Sequence, residues 1–205
     1  EKQKETNHYQ IQSLPINSGV FCLKKDRFQD VVWIGTDGQG VYLYSNPLYS
    51  IKSMVLSNYT EKIERPVRAI YLDDERTFWV GTKGNGILKI YDYEFDKNIS
   101  DCRAEVLTTS NSALSSNAVY CFAKSHRNLL WIGDEEGLTY YSYREKRIKS
   151  IPIRIGNEDF KYIHDIYETA DSELWLASVG MGVVKARIAG TPDNPVIVDA
   201  QRYII

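Results

Sequence analysis

The chain has 205 residues, 43% of them hydrophobic, enough for a sizeable core in one large all-β domain or two small ones. With 25 basic and 27 acidic residues its net charge is −2, so the summed field offers no general attraction for nucleic acid or an anionic membrane surface, and neither is expected as a partner. No apolar run approaches the length needed to cross a bilayer, and the first residues, EKQKETNHYQ, are unlike a signal peptide, so the chain reads as a mature or excised piece.

In chain order, residues 6–13, TNHYQIQS, read as a lone outer strand with nothing before it to pair with. After it a three-strand pattern recurs. Strand A is VFCLKKD from Val20, VRAIYLDD from Val67, VYCFAKS from Val119 and IHDIYET from Ile163, each alternating and rich in β-branched or aromatic residues. Strand B follows a polar turn and is led by Trp33, Trp79, Trp131 and Trp175, separated by 46, 52 and 44 residues. Strand C follows the glycines of WIGTDGQGVYLY, WVGTKGNGILKI, WIGDEEGLTYYSY and LWLASVGMGVVKARI. A fourth strand, D, is predicted at residues 49–56, 103–108, 147–153 and 196–203.

Four antiparallel strands per unit of about 40 to 50 residues is the signature of a β-propeller blade, which cannot bury its own faces and must stack on neighbours. The predicted fold class is therefore all-β: a β-propeller fragment of four blades (14–60, 61–110, 111–157 and 158–205) plus one orphan N-terminal outer strand. The tryptophans are expected to be core anchors without ligand contact. The small residue after each, Gly35, Gly81, Gly133 or Ala177, lets the next blade's backbone or a large ring approach closely. Cys22, Ala69, Cys121 and Asp165 align at one position of strand A, so two cysteines stand where a small buried hydrophobe is wanted. Cys102 is read as equally inert.

The third repeat, LSSNAVYCFAKSHRNLLWIGDEEGLTYYSY at 114–143, resembles the two-component regulator propeller repeat: a Leu-x-Ser-Asn-x-Val start, a short turn, Leu-Trp-Ile-Gly, then Gly-Leu and an aromatic-rich strand. WIGTDGQG and WVGTKGNG are close to the motif's centre, and the likeness covers about residues 14–188; the fourth repeat, LWLASVGMG, departs from it in lacking the Gly-Thr pair. The resemblance implies the periplasmic sensor region of a Bacteroides-type hybrid two-component system histidine kinase, responding to an oligosaccharide or other small-molecule signal. It further implies that the remaining blades of a parent propeller, its homodimer partner and the kinase domains lie outside this chain.

Little in the sequence points to chemistry of its own. There is no Gly-x-Ser-x-Gly, P-loop or His-Glu-x-x-His motif, and the loops GTDGQG and GTKGNG are read as hairpin turns because no helix follows to bind a phosphate. No catalytic residue, metal site or cofactor is predicted. His8, His126 and His164 lie on separate elements without a second ligand; His164, beside Asp165 in an inner strand, is the one with a titratable partner. Asp73, Asp74, Glu75 and Asp134, Glu135, Glu136 are read as solvated turn residues. The candidate ligand-binding face is one mouth of the central channel, built by loops leading into strand A (Asn17, Arg65, Asn117, Tyr162) and loops joining B to C (Asp37, Gln39, Lys83, Asn85, Glu135, Met181). Its cations, hydrogen-bonding groups and ring suit a sugar acid or sulfated oligosaccharide. Two further readings follow: a carbohydrate-active lyase or hydrolase, and a non-binding scaffold or dimerisation module.

Overall fold

A computed structural model of the protein describes residues 13–45, 50–54, 65–93 and 102–204. The outer strand expected over 6–13, with His8, falls outside them except for Ser13. The first sheet holds β1 (Val20–Lys25), β2 (Val31–Thr36), β3 (Val41–Ser45) and β4 (Ser50–Met54). The second holds β5 (Val67–Leu72), β6 (Phe78–Thr82), β7 (Ile87–Ile90) and β8 (Ala104–Leu107). The third holds β9 (Val119–Lys124), β10 (Leu129–Asp134), β11 (Leu138–Ser142) and β12 (Arg147–Ile151). A short hairpin, β13 (Arg154–Ile155) with β14 (Glu158–Asp159), leads to the fourth. That sheet holds β15 (Ile163–Glu168), β16 (Glu173–Ser178), β17 (Gly182–Thr191) and β18 (Asn194–Tyr203).

Every four-stranded sheet is an antiparallel meander in chain order, and the first strand of each packs on the first strand of the next: β1 on β5, β5 on β9, β9 on β15. No comparable packing returns from β15 to β1 among the described residues, so the blades form an open arc. The core lies between blades rather than within them. Trp33 and Leu43 pack with Phe78, Val80 and Ile90; Trp79 with Leu130, Ile132 and Tyr141; Trp131 and Tyr140 with Phe160, Ile163 and Leu176. Burying both faces of a sheet requires a neighbour on each side, which is why the repeat is the unit of sequence and the pair of repeats the unit of stability.

The ends of the arc carry the consequence. Trp33, Trp79 and Trp131 are fully buried, but Trp175 is only half-buried, with Tyr203 stacked at 5.8 Å and Lys185 Nζ 5.6 Å from its ring centroid. The expectation of four equal anchors is thus corrected to three, because no described blade lies over the fourth. Leu23, at the other end, is 64% exposed.

Each buried tryptophan also needs an acceptor for its indole N–H. Asp26 supplies it to Trp33 and Asp73 to Trp79, both at 2.9 Å, from the turn between the first and second strands of the same blade. Asp73 is buried and also accepts from the Glu75 and Thr77 amides, so it is a turn anchor and not the solvated charge expected of it. In the third blade the equivalent residue is Ser125, too short to reach the indole. Glu168 of the fourth blade takes its place, accepting from Trp131 Nε1 at 2.7 Å. Asp74, one residue along, ties three blades through Lys124 and Arg27; the Lys124 hydrogen bond first, then the Arg27 charge, hold its carboxyl below the usual carboxylate range.

Between the second and third blades Lys89 is buried. Its Nζ donates to Tyr141 Oη at 2.9 Å and lies 4.8, 4.5 and 4.3 Å from the ring centroids of Trp79, Tyr91 and Tyr141, with Glu105 at 3.5 Å. Desolvation lowers its pKa; the aromatic faces and Glu105 offset part of that cost.

Candidate ligand-binding face at the inner rim

The loops leading into the first strands and those joining the second to the third strands lie on one face of the arc, held by backbone hydrogen bonds. Asp37 N donates to Gly19 O, and Ser18 Oγ donates to Asp37 O. Lys83 N donates to Pro66 O, Gly84 N and Gly86 N to Asn117 O, and Glu135 N to Ala118 O. Tyr162 N donates to Glu135 O, and Lys161 N to Met181 Sδ at 3.4 Å. Each second-to-third loop therefore touches the lead-in of its own blade, and bonds to the next blade from the second and third make the rim continuous across the second, third and fourth blades. Gly38, Gly40, Gly84 and Gly86 carry the positive φ of the two glycine-rich loops.

The ten sequence-predicted residues all lie on this rim, with different degrees of freedom. Asn117 is committed to structure, its carbonyl to the Gly84 and Gly86 amides and its Oδ1 to the Thr109 amide. Asn85 Oδ1 accepts from the Arg65 amide at 3.2 Å, and Gln39 Oε1 from Tyr42 Oη at 3.0 Å. Met181 is half-buried under the Lys161 amide. Asn17, Asp37, Arg65, Lys83 and Tyr162 are exposed, Tyr162 in a left-handed conformation with φ 55°. Glu135 is half-buried and accepts from Ser116 Oγ at 3.3 Å. Asp134, read from sequence as a solvated loop charge, is instead the fully buried end of β10. Ser115, Thr139 and the Glu136 and Gly137 amides donate to it, while burial raises its pKa. Among the described residues no group of three or more His, Cys, Asp or Glu is placed to hold a metal ion.

One feature of the inner edge is absent from the sequence reading. Each first strand carries a register shift at the same place: Val20/Cys22, Val67/Ala69, Val119/Cys121 and Ile163/Asp165. Such a bulge leaves one residue unpaired and re-aims its side chain. The four residues so released are Phe21, Arg68, Tyr120 and His164. They form a row across adjacent blades: the Arg68 guanidinium lies 3.6 Å from the Phe21 ring centroid, and Tyr120 stacks on His164 at 4.1 Å with 21° between planes. The signal available in sequence was their shared position, one residue before the aligned Cys22, Ala69, Cys121 and Asp165.

His164 is exposed, yet partial desolvation first, then the Arg68 charge, lower its pKa. The folded state therefore resists protonation, while the unfolded chain takes up a proton as pH falls through roughly 6.5. The stability at stake is fully present above that pH and is lost as pH drops toward the folded pKa. The urea midpoint of the native protein should thus fall more steeply between pH 7 and pH 5 than that of His164→Asn; equal slopes would contradict this assignment.

Four stacked antiparallel meanders radiating from a shared inner edge define a β-propeller fragment. No protein-family model matches the sequence. Among curated proteins, the chain is 31% identical over 140 residues to translation initiation factor 6 of Saccharolobus solfataricus, covering 62% of this chain and 57% of that protein. It is 23% identical over 196 residues to histidine kinase P4 of Formosa agariphila, covering 90% of this chain and 13% of that protein. The chain thus spans less than two thirds of the length of either. Among solved structures it is similar to the extracellular domain of the hybrid two-component system BT3049 from B. thetaiotaomicron, with TM-score 0.67 and 23% identity over 96% of this chain and 24% of that one. It is also similar to the β-propeller domain of Cps50 (Swd1) from Myceliophteria thermophila, with TM-score 0.58 and 12% identity over 90% of this chain and 60% of that one. These likenesses establish the propeller fold, and extracellular domains of Bacteroides hybrid two-component systems are among its structural neighbours.

Proposed function

We propose that this chain is part of the extracytoplasmic, ligand-sensing propeller of a hybrid two-component sensor, located in the periplasm. It binds an oligosaccharide or related small-molecule signal without turning it over. The observation that carries this reading is the rim, where exposed Arg65, Lys83 and Tyr162 sit on a backbone hydrogen-bond network running through the second, third and fourth blades, with exposed Asn17 on the first. The likeness to histidine kinase P4 along 90% of this chain supports it, and the solved two-component neighbour agrees with that relative, not with the translation factor. Exposed Leu23 at one end of the arc and Tyr167 on β15 at the other fit a parent in which further blades cover these faces; a homodimer of that parent belongs to the same proposal.

The test is calorimetric titration of the protein with a panel of neutral and acidic oligosaccharides, with chromatography of the recovered sugar. Heat uptake with intact sugar is the expected result. Product formation would replace the sensor with a lyase or hydrolase, and the absence of both heat and product would leave a scaffold.

A further inference from the structure

We propose that the bulge row Phe21, Arg68, Tyr120 and His164 is the recognition strip for an anionic sugar unit of the oligosaccharide, with Arg68 receiving the acid group and the Tyr120–His164 stack lying against the sugar face. The inference rests on the sensor reading and names the part of the rim, and the chemical class of ligand, that the reading leaves open.

Three independent features of the row converge. The first is placement: four bulges at one register put four side chains at one level of the inner edge, where the first strands come closest together. A ligand lying along the arc meets all four, whereas each rim loop offers only one or two groups.

The second is the state of Arg68. Its guanidinium is held over the Phe21 ring, yet no hydrogen bond or ion pair engages it among the described residues, and its Nε is buried without an acceptor. A permanent cation without an acceptor is costly, and because Nε is occluded it is the two Nη groups that are open to a ligand, where a planar or tripodal oxyanion can be taken in the forked geometry. Arg65, the sequence candidate for this role, is exposed at the loop and is a weaker anchor for the same reason that surface ion pairs are weak.

The third is the ring pair. Tyr120 and His164 stack nearly parallel, and His164 is exposed while Tyr120 is half-buried beneath the rim. Partial desolvation and the Arg68 charge both disfavour imidazolium, which leaves Arg68 as the permanent cation of the row. Glu135 is the opposing charge: its field reaches Tyr120, and Ser116 Oγ donates to it. It suits a sugar hydroxyl and repels an acid group placed too high on the rim, which sets the ligand's direction.

The experiment titrates the full chain with three probes: tetragalacturonate, its fully methyl-esterified counterpart and a chondroitin sulfate tetrasaccharide. Binding of at least one acidic probe is expected, about 10- to 100-fold weaker for Arg68→Ala, partly restored by Arg68→Lys, and several-fold tighter for Glu135→Gln. Preference between the two acidic probes separates carboxylate from sulfate recognition. In the native protein, NMR should show the Arg68 Nε–H and His164 Cε1–H resonances moving with the acidic probe, a readout independent of whether any variant folds. Equal affinity of Arg68→Ala and native protein for the acidic probe, or unmoved Arg68 and His164 resonances at saturation, would overturn the proposal. Tight binding of the esterified probe that is indifferent to Arg68→Ala would overturn it while leaving the sensor reading in place. Silence from all three probes and from the wider neutral panel would remove both.

Discussion

Replacing Gly133 by alanine is expected to destabilise the protein by about 3 kcal/mol, and replacing Cys121 as well should not restore it. A Cβ at Gly133 meets Cys121 Sγ at 2.5 Å, the Ile163 carbonyl oxygen at 2.5 Å and Ile163 Cγ2 at 2.9 Å. The thiol is a movable neighbour. The Ile163 carbonyl is not, because it belongs to the first strand of the next blade and accepts the Cys121 thiol at 3.7 Å. The methyl group therefore acts as a wedge between the third and fourth blades, and the loss exceeds the roughly 0.4–1 kcal/mol that alanine contributes by stiffening the unfolded chain.

Gly35 provides the control. There the thiol of Cys22 is again at 2.5 Å, but the next contact is Val67 Cγ1 at 3.1 Å, and the Val67 carbonyl is 3.5 Å away. Cys22→Ala should recover most of the loss in Gly35→Ala, whereas Cys121→Ala should recover little in Gly133→Ala. Urea denaturation of the two double-mutant cycles measures this, and equal rescue at both sites would show that interblade backbone contact is not what excludes a side chain.

Glu168→Ala is expected to cost about 3 kcal/mol as well, for an electrostatic reason. The carboxylate is almost wholly buried; it accepts from Trp131 Nε1 at 2.7 Å and the His126 amide at 3.2 Å, and lies 3.9 Å from Arg127 Nε. Truncation strands an indole N–H and a half-buried guanidinium in the same junction. Glu168→Gln keeps an acceptor oxygen and should cost less.

The sharper test is transplantation. Ser125 already makes the turn bond that Asp26 and Asp73 make, accepting the amide two residues on, but lacks the second oxygen that would reach the indole. Ser125→Asp in the Glu168→Ala background should return about half of the lost stability by supplying Trp131 from within its own blade. A double variant no more stable than Glu168→Ala would show that Arg127, not Trp131, is what Glu168 chiefly serves.

The blade strands were legible in the sequence because their signals are local. Period-two alternation sets each strand, the glycine loops set each hairpin, and the tryptophan spacing sets the repeat; the register pairs Cys22, Ala69, Cys121 and Asp165 with Gly35, Gly81, Gly133 and Ala177, the alignment drawn from spacing alone. The charged turns are misread because side-chain direction, not spacing, decides their burial. Asp73 in its turn and Asp134 at the end of β10 stand in polar stretches like any surface carboxylate, and only the direction of Trp79 Nε1, or of the Ser115 and Thr139 hydroxyls, buries them. Asp74 likewise becomes a three-blade tie only when Arg27 and Lys124 are brought to it from 47 and 50 residues away.

By itself, then, the sequence determined what repeats: a four-stranded antiparallel unit whose faces are too apolar to stand alone, and a rim of polar loops at one end of it. Tertiary structure decided what the repeats share. The bulge that turns Phe21, Arg68, Tyr120 and His164 into one row, the loan of Glu168 to Trp131, and the half-exposure of Trp175 all depend on which blade stands next to which. The physical reason is range: strand and turn preferences act over a few residues, whereas burial and charge pairing in these cases are settled by neighbours that the chain supplies tens of positions away.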